Sequence, residues 1–108
     1  MASATYWQRG ESLDYKNGTS NKIDVGTVVK IGTRIGIAGD TILPGGIGPL
    51  HITGVFEFKK TGTAEIKMGT TVYFDGNGIT ETAGSNAVAG FAAEDATASA
   101  PKIRVKIG

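Results

Sequence analysis

From Leu50 to Lys59 apolar and polar side chains alternate. Leu50, Ile52, Gly54, Phe56 and Phe58 share one parity, and His51, Thr53, Val55, Glu57 and Lys59 the other. A period of two predicts one half-buried strand over 50–59. The chain closes on the same pattern, with Ile103, Val105 and Ile107 facing one way and Lys102, Arg104 and Lys106 the other. Val28 to Ile31 and Val72 to Phe74 are further β-branched or aromatic segments. Between Phe74 and Ile79, Asp75-Gly76-Asn77-Gly78 predicts a hairpin, because glycine and asparagine accept positive φ. Turn signals recur every 8–12 residues, the spacing of a barrel or sandwich. Helix signals are thin: one turn over Thr63 to Lys67, and an alanine-rich stretch from Asn86 to Ala98 that Gly84, Gly90, Thr97 and Ser99 weaken. The expectation is an all-β fold, a small β-barrel or β-sandwich of short antiparallel strands with an extended N-terminal arm and little helix.

The pattern also divides the chain. Residues 1–22 carry Trp7 and the tyrosines Tyr6 and Tyr15 among polar neighbours and end in Lys16-Asn17-Gly18-Thr19-Ser20-Asn21. They read as an arm or edge segment with a loop, ahead of a single β domain over 23–108. Inside that domain, Ile23-Asp24-Val25-Gly26-Thr27-Val28-Val29 matches Ile66-Lys67-Met68-Gly69-Thr70-Thr71-Val72 as I-x-x-G-T-x-V. Gly36-Ile37-Ala38 follows the first copy and Gly90-Phe91-Ala92 the second. Two equivalent units, each with a glycine where backbones approach closely, would produce this pattern, and so would coincidence in a chain rich in Gly, Thr and Val.

Composition narrows the function classes. The 108 residues suit one domain, and 17 glycines, against an average usage near 7%, fit short strands joined by tight turns. Lys+Arg 11 against Asp+Glu 10 leaves a formal net charge of +1, which gives no electrostatic reason for nucleic acid or an anionic membrane as partner. Cysteine is absent, so neither disulfides nor thiolate metal sites are expected. The first residues lack the basic and apolar regions of a signal peptide, and no apolar run approaches the ~20 residues of a membrane span.

No catalytic, cofactor or metal site is expected. His51 is the single histidine, and a triad would need it beside a nucleophile and an orienting carboxylate. Glu94-Asp95 are adjacent loop carboxylates that do not converge as an acid–base pair must. Asp75-Gly76-Asn77-Gly78 fails as a calcium loop, with Ile79 at position five and Asn86 at position twelve. Pro44-Gly45-Gly46-Ile47-Gly48-Pro49 lacks the Gly-Lys-Ser/Thr of a phosphate loop and reads as an exposed connection where a neighbour could touch. Lys102, Arg104 and Lys106 form the one nucleic-acid feature, an alternative reading as a small-barrel binding module. No aromatic is interleaved with them, and lysines on an edge strand discourage edge-to-edge pairing. Tyr6-Trp7-Gln8-Arg9 stands out, since Trp, Tyr and Arg are enriched at interface hot spots. Two readings of Trp7 remain: contact with a partner, or a cap on the domain's own barrel. The candidate contacts are therefore Tyr6, Trp7, Gln8 and Arg9 first, and Pro44, Gly45, Gly46 and Ile47 second.

Taken together, Tyr6-x-Gln8-x-Gly10-x-x-Leu13-Asp14-Tyr15, Ile23-x-x-Gly26-x-x-Val29, Gly36-Ile37-Ala38 and Gly54-Val55-Phe56-Glu57-x-x-Lys60 form an ordered series. Gly69-x-x-Val72-Tyr73, Gly90-Phe91-Ala92 and Ile103-Arg104-Val105-Lys106-Ile107 complete it. In order and spacing the series resembles a family of small bacteriophage virion proteins that includes capsid cement or head-decoration proteins. The resemblance implies a non-enzymatic, β-rich structural protein without cofactors. It also implies binding to the outside of an assembled capsid, as homotrimers at the junctions between capsomers. The implied partners are the major capsid protein and further copies of the chain, on the virion exterior and, during assembly, in the host cytoplasm. Some members carry a recombinase-like label, which no nucleotide-binding loop supports here. The family offers no catalytic residues to carry over.

Overall fold

The apolar parity seen in the sequence becomes nine strands in a computed structural model, which describes residues 2–108. They are β1 (Ser12–Lys16), β2 (Val28–Ile31), β3 (Arg34–Ala38), β4 (Ile47–His51), β5 (Gly54–Lys59), β6 (Thr71–Phe74), β7 (Ile79–Thr80), β8 (Ala87–Ala92) and β9 (Lys102–Ile107). All nine belong to one hydrogen-bonded sheet that does not close into a barrel. The all-β expectation holds, and among the described residues there is no helix, including over Thr63 to Lys67.

The chain builds the same unit twice. In the first half β1 pairs with β4, β4 with β3, and β3 with β2, all antiparallel. In the second half β5 pairs with β9, β9 with β8, and β8 with β6, again antiparallel. Each is a Greek-key arrangement in which the first strand returns to lie beside the fourth. The I-x-x-G-T copies occupy equivalent places. Ile23 bridges Ile42 as Ile66 bridges Ala96. The Gly26 N–H donates to the Ala38 carbonyl at 2.7 Å, and the Gly69 N–H to the Ala92 carbonyl at 2.8 Å. Thr27 donates to Asp24 and Thr70 to Lys67, both at 3.1 Å, across turns whose third residues are Gly26 (φ 87°) and Gly69 (φ 91°). These are type II turns, and a positive φ at that place requires glycine. The repeat is therefore structural and not a coincidence of composition.

The halves join where β3 and β8 run parallel, at Arg34 and Val88. With this parallel pairing, and a parallel bridge between Lys60 and Ile79, the sheet is mixed and not purely antiparallel. Past it, β4 flanks β3 and β9 flanks β8. Because β3 and β8 point the same way, their C-terminal ends, and the two glycine turns held there, lie at one end of the molecule. The 39–46 loop and Lys16 reach that end too, since Lys16 pairs with Ile47. Ser12, paired with His51, and Gly54, paired with Ile107, lie nearer the middle of the sheet, level with Ile37 and Gly90.

One expected strand divides. The alternation over 50–59 is split at Ile52-Thr53, where the chain leaves the first unit and enters the second at Gly54 (φ 122°). Each piece keeps its own parity, with Leu50 and Phe58 buried. The core cluster joins Ile35 and Ile37 from the first unit to Phe58, Ile66, Val72, Ile79, Ile103, Val105 and Ile107 from the second. Burying each such aliphatic side chain contributes about 1.5–3 kcal/mol.

The expected hairpin forms between β6 and β7, with Phe74 opposite Ile79. The Asp75 carboxylate accepts from the N–H groups of Asn77 and Gly78, at 2.9 Å each, and from the Thr61 hydroxyl. Burial raises the Asp75 pKa, but these hydrogen bonds outweigh it and leave the value below the ordinary 3.8. A carboxyl with a lowered folded pKa adds stability above its unfolded pKa and loses it as the pH falls through the folded value. Asp75→Asn is therefore expected to unfold more easily than wild type at neutral pH. The two midpoints should converge below pH ~3.8, as thermal melts across a pH series would read.

Candidate functional site

Residues 2–11 precede β1 outside the sheet, and Tyr6 and Trp7 there are 81% and 88% exposed. Trp7 does not cap a barrel. What ties the segment down lies at its C-terminal side, where the Gln8 side-chain amide donates to the Ser12 carbonyl at 3.2 Å and Glu11 accepts from Ile52 at 3.1 Å. An indole left in water at the end of a short arm is a ready contact for another surface. Among the described residues β1 pairs with β4 alone, which leaves its outer edge open.

The second candidate, Pro44 to Ile47, sits at the other end of β1. Pro44-Gly45 is the centre of a further turn, closed by a 2.8 Å hydrogen bond from the Gly46 N–H to the Leu43 carbonyl, with Gly45 at φ 76°. Leu43 and Ile47 flank it, both largely exposed. Asn17 fixes the loop from behind. It is fully buried, and its side-chain amide donates to the carbonyls of Asn21 at 2.7 Å and Ile42 at 3.0 Å, while its backbone exchanges hydrogen bonds with Gly45 and Gly46. The structure therefore does not bring the two expected contact segments together. It places the arm's attachment and the glycine-rich loop at opposite ends of β1.

Sequence reading passed over two residues beside that loop. Val25 and Met68, the second residues of the twin glycine turns, are 62% and 66% exposed. The signal was available in the repeat, where both copies carry an apolar residue just before the glycine. Each turn is braced from the facing loop. The Val25 N–H donates to the Thr41 hydroxyl at 3.4 Å, and the Met68 N–H to the Asp95 carboxylate at 2.8 Å. Asp95 thus anchors a turn, and its neighbour Glu94 lies 3.8 Å from Arg104.

The basic stripe reads differently in three dimensions. β9 is internal, between β5 and β8, so Lys102, Arg104 and Lys106 protect no edge. Lys102 lies 3.5 Å from Glu57 and Arg104 beside Glu94, which offsets much of the charge that phosphates would need. An aromatic does join this face. Phe91 stands opposite Lys106, whose ammonium is 5.9 Å from the ring centroid. A bulge between β6 and β8 shifts the parity of β8, so Ala87 and Ala89 are buried but Phe91 points outward.

His51 borders a groove of about 390 Å³ lined by Val25, Val28, Ile37, Phe56, Glu57 and Phe58 among others. Its ring stacks on Phe56 with centroids 6.3 Å apart. The lining holds no serine, threonine or cysteine to act as a nucleophile. Among the described residues no cluster of His, Asp and Glu could hold a metal ion. What the groove offers is apolar packing surface.

The comparisons bear on this surface-dominated chain. Neither the curated proteins nor the solved structures returned a match. A family model described as phage cement protein does match, over residues 7–107. It takes in Trp7, both glycine turns and all nine strands. On that match, over nearly the whole of its length, the chain belongs to the phage cement protein family.

Proposed function

We propose that this chain binds the outer surface of an assembled phage capsid and stabilises it across the junctions between capsomers. The family match over residues 7–107 carries the reading, because it gives the chain a structural, capsid-associated role. The exposed apolar residues support it, since Tyr6, Trp7, Leu43, Ile47 and Met68 offer an adhesive surface that a lone soluble domain would not need. Cement acts by adding buried area across seams, and repetition over the shell multiplies a modest contact.

In this reading the partner is the major capsid protein, and Tyr6 to Arg9 is the leading contact, with Pro44 to Ile47 second. The open edge of β1 supports addition of a strand at the arm, where main-chain hydrogen bonds would supplement the indole of Trp7. Self-association as a homotrimer belongs to the same proposal, because three linked copies leave a shell far more slowly than one. The chain would act on the virion exterior after a passage through the host cytoplasm during assembly.

Cosedimentation with purified expanded shells tests this directly. Wild type is expected to saturate the shells and to raise the temperature at which they disrupt. Deleting residues 2–9 should weaken binding by at least about tenfold, the loss of one good anchor, while leaving the circular dichroism spectrum unchanged. Undiminished binding by the truncated chain would reject the arm as a contact.

A further inference from the structure

The duplicated unit presents its exposed apolar turn twice, and the two copies share an end of the molecule. Val25 and Met68 occupy the same place in type II turns with matching backbone hydrogen bonds to Ala38 and Ala92. Each is held further by a side chain from an equivalent loop position, Thr41 in one unit and Asp95 in the other. The parallel pairing of β3 with β8 directs both turns toward one end, while the flanking of β3 by β4 and of β8 by β9 sets them apart. Each turn is also skirted by an exposed ion pair of zero net charge. Lys22 lies 3.5 Å from Asp24 in the first unit, and Lys67 3.5 Å from Glu65 in the second. The second turn also has the Asp95 carboxylate against its backbone, and both turns offer one apolar side chain on a braced backbone.

We propose that Val25 and Met68 are twin docking points for equivalent apolar sites on two neighbouring subunits of the shell, so that one copy of this chain straddles their boundary. The proposal rests on the cement reading above and adds to it the surface and the number of sites. A shell is built from many copies of one subunit, so any site on it recurs across every seam. A partner that carries the same contact twice, aimed the same way, is matched to such a surface. A partner with one binding site would engage a single turn and leave the other idle. Pairing two weak contacts in one rigid body raises overall affinity by about 10²–10⁴ over either alone, with no new type of contact. The Pro44 to Ile47 loop stands at this same end and would widen the footprint beside Val25.

The test is shell binding by Val25→Glu, Met68→Glu and the double variant, with Val55→Glu as a control, an apolar residue of similar exposure on the strand face. Melting temperatures establish that each variant is folded, and Val25→Thr with Met68→Gln provide milder substitutions should a glutamate disturb a turn. Each single change at a turn is expected to lower affinity by about 100-fold, as the loss of one of two linked contacts. The double change should abolish binding, and the control should bind within about twofold of wild type. Loss at one turn only, at neither, or equally at Val55 would overturn the proposal. So would a change of oligomeric state with shell binding intact, which would make the turns a contact between copies of this chain. Wild type that fails to bind shells at all would remove the cement reading itself. Wild type that binds while both turn variants bind equally well removes the twin-site inference alone.

Discussion

Replacing Gly90 by alanine is expected to destabilise the domain by about 3–5 kcal/mol, combining the strain of a glycine-only backbone with overpacking. Gly90 sits at φ 151°, in the middle of the sheet, opposite both Val72 and Ile107. A Cβ built there overlaps the Lys106 carbonyl oxygen, which is backbone and cannot rotate away. Relief requires either separating β8 from β9 or abandoning the bulge that sets the parity of β8. A domain of this size has about 5–15 kcal/mol in all, so the variant should stand near the limit of folding. Its melting temperature is expected to drop by roughly 15–25 °C. Gly10→Ala is the matching control, because nothing lies within 4 Å of its added methyl and its φ is not positive. Equal urea midpoints for Gly90→Ala and wild type would show that the strands tolerate a side chain at their closest approach.

Asn17→Ala should cost about 3–4 kcal/mol, because four side-chain hydrogen bonds of a fully buried amide disappear, the one to the Ile42 carbonyl wholly out of water's reach. Besides its two amide bonds, the Asn17 carbonyl oxygen accepts from the Thr19 N–H at 3.0 Å and the Thr19 hydroxyl at 2.6 Å. The damage should be local as well as global. The Gly45 and Gly46 region leans on this residue, so amide exchange at Gly45 is expected to accelerate before exchange in β8 or β9 does. Uniform protection across the loop and the core strands would contradict that account. The second unit meets the same need with different chemistry. Lys60 follows β5 as Asn17 follows β1, is likewise buried, and donates its ammonium to the carbonyls of Gly62 at 2.6 Å and Ala98 at 3.2 Å. A long cation and a short amide thus tie the same two loops in the two units.

Much of this fold was legible in the residue pattern because it depends on local chemistry. The Asp75 to Gly78 hairpin and the alternation of β9 are set by residues close in sequence. The I-x-x-G-T repeat marked both units, and the glycines of Gly36-Ile37-Ala38 and Gly90-Phe91-Ala92 do stand where a Cβ would collide, with Leu50 in one unit and the Lys106 backbone in the other. Features set by distant partners were not legible. Parity within 50–59 cannot reveal that the chain changes units at Ile52, since both pieces alternate in the same phase. Parity within 87–92 would bury Phe91 beside Ala87 and Ala89, and only the bulge opposite β6 turns it outward. Lys102 to Lys106 reads as an edge until β5 and β8 are placed on either side. At the candidate surface, the sequence left Trp7 open between partner contact and a cap on its own domain, because only the placement of the strands shows that none lies over it. The partnership of Val25 with Met68 depended on a parallel pairing that no local signal encodes.

The placement of the arm and the glycine-rich loop at opposite ends of β1 has a mechanical consequence. If one neighbour grips the arm and another the turn end, outward swelling of the shell pulls β1 by its N-terminus while β4 is held at Ile47. That load runs along the strands and not across them. The five registered residue pairs from Ser12–His51 to Lys16–Ile47 must then slip together, and cannot peel open one after another. Loaded in shear, the hairpin-free pair β1–β4 would act as a tensile tie, strongest in the direction in which a filling capsid strains it.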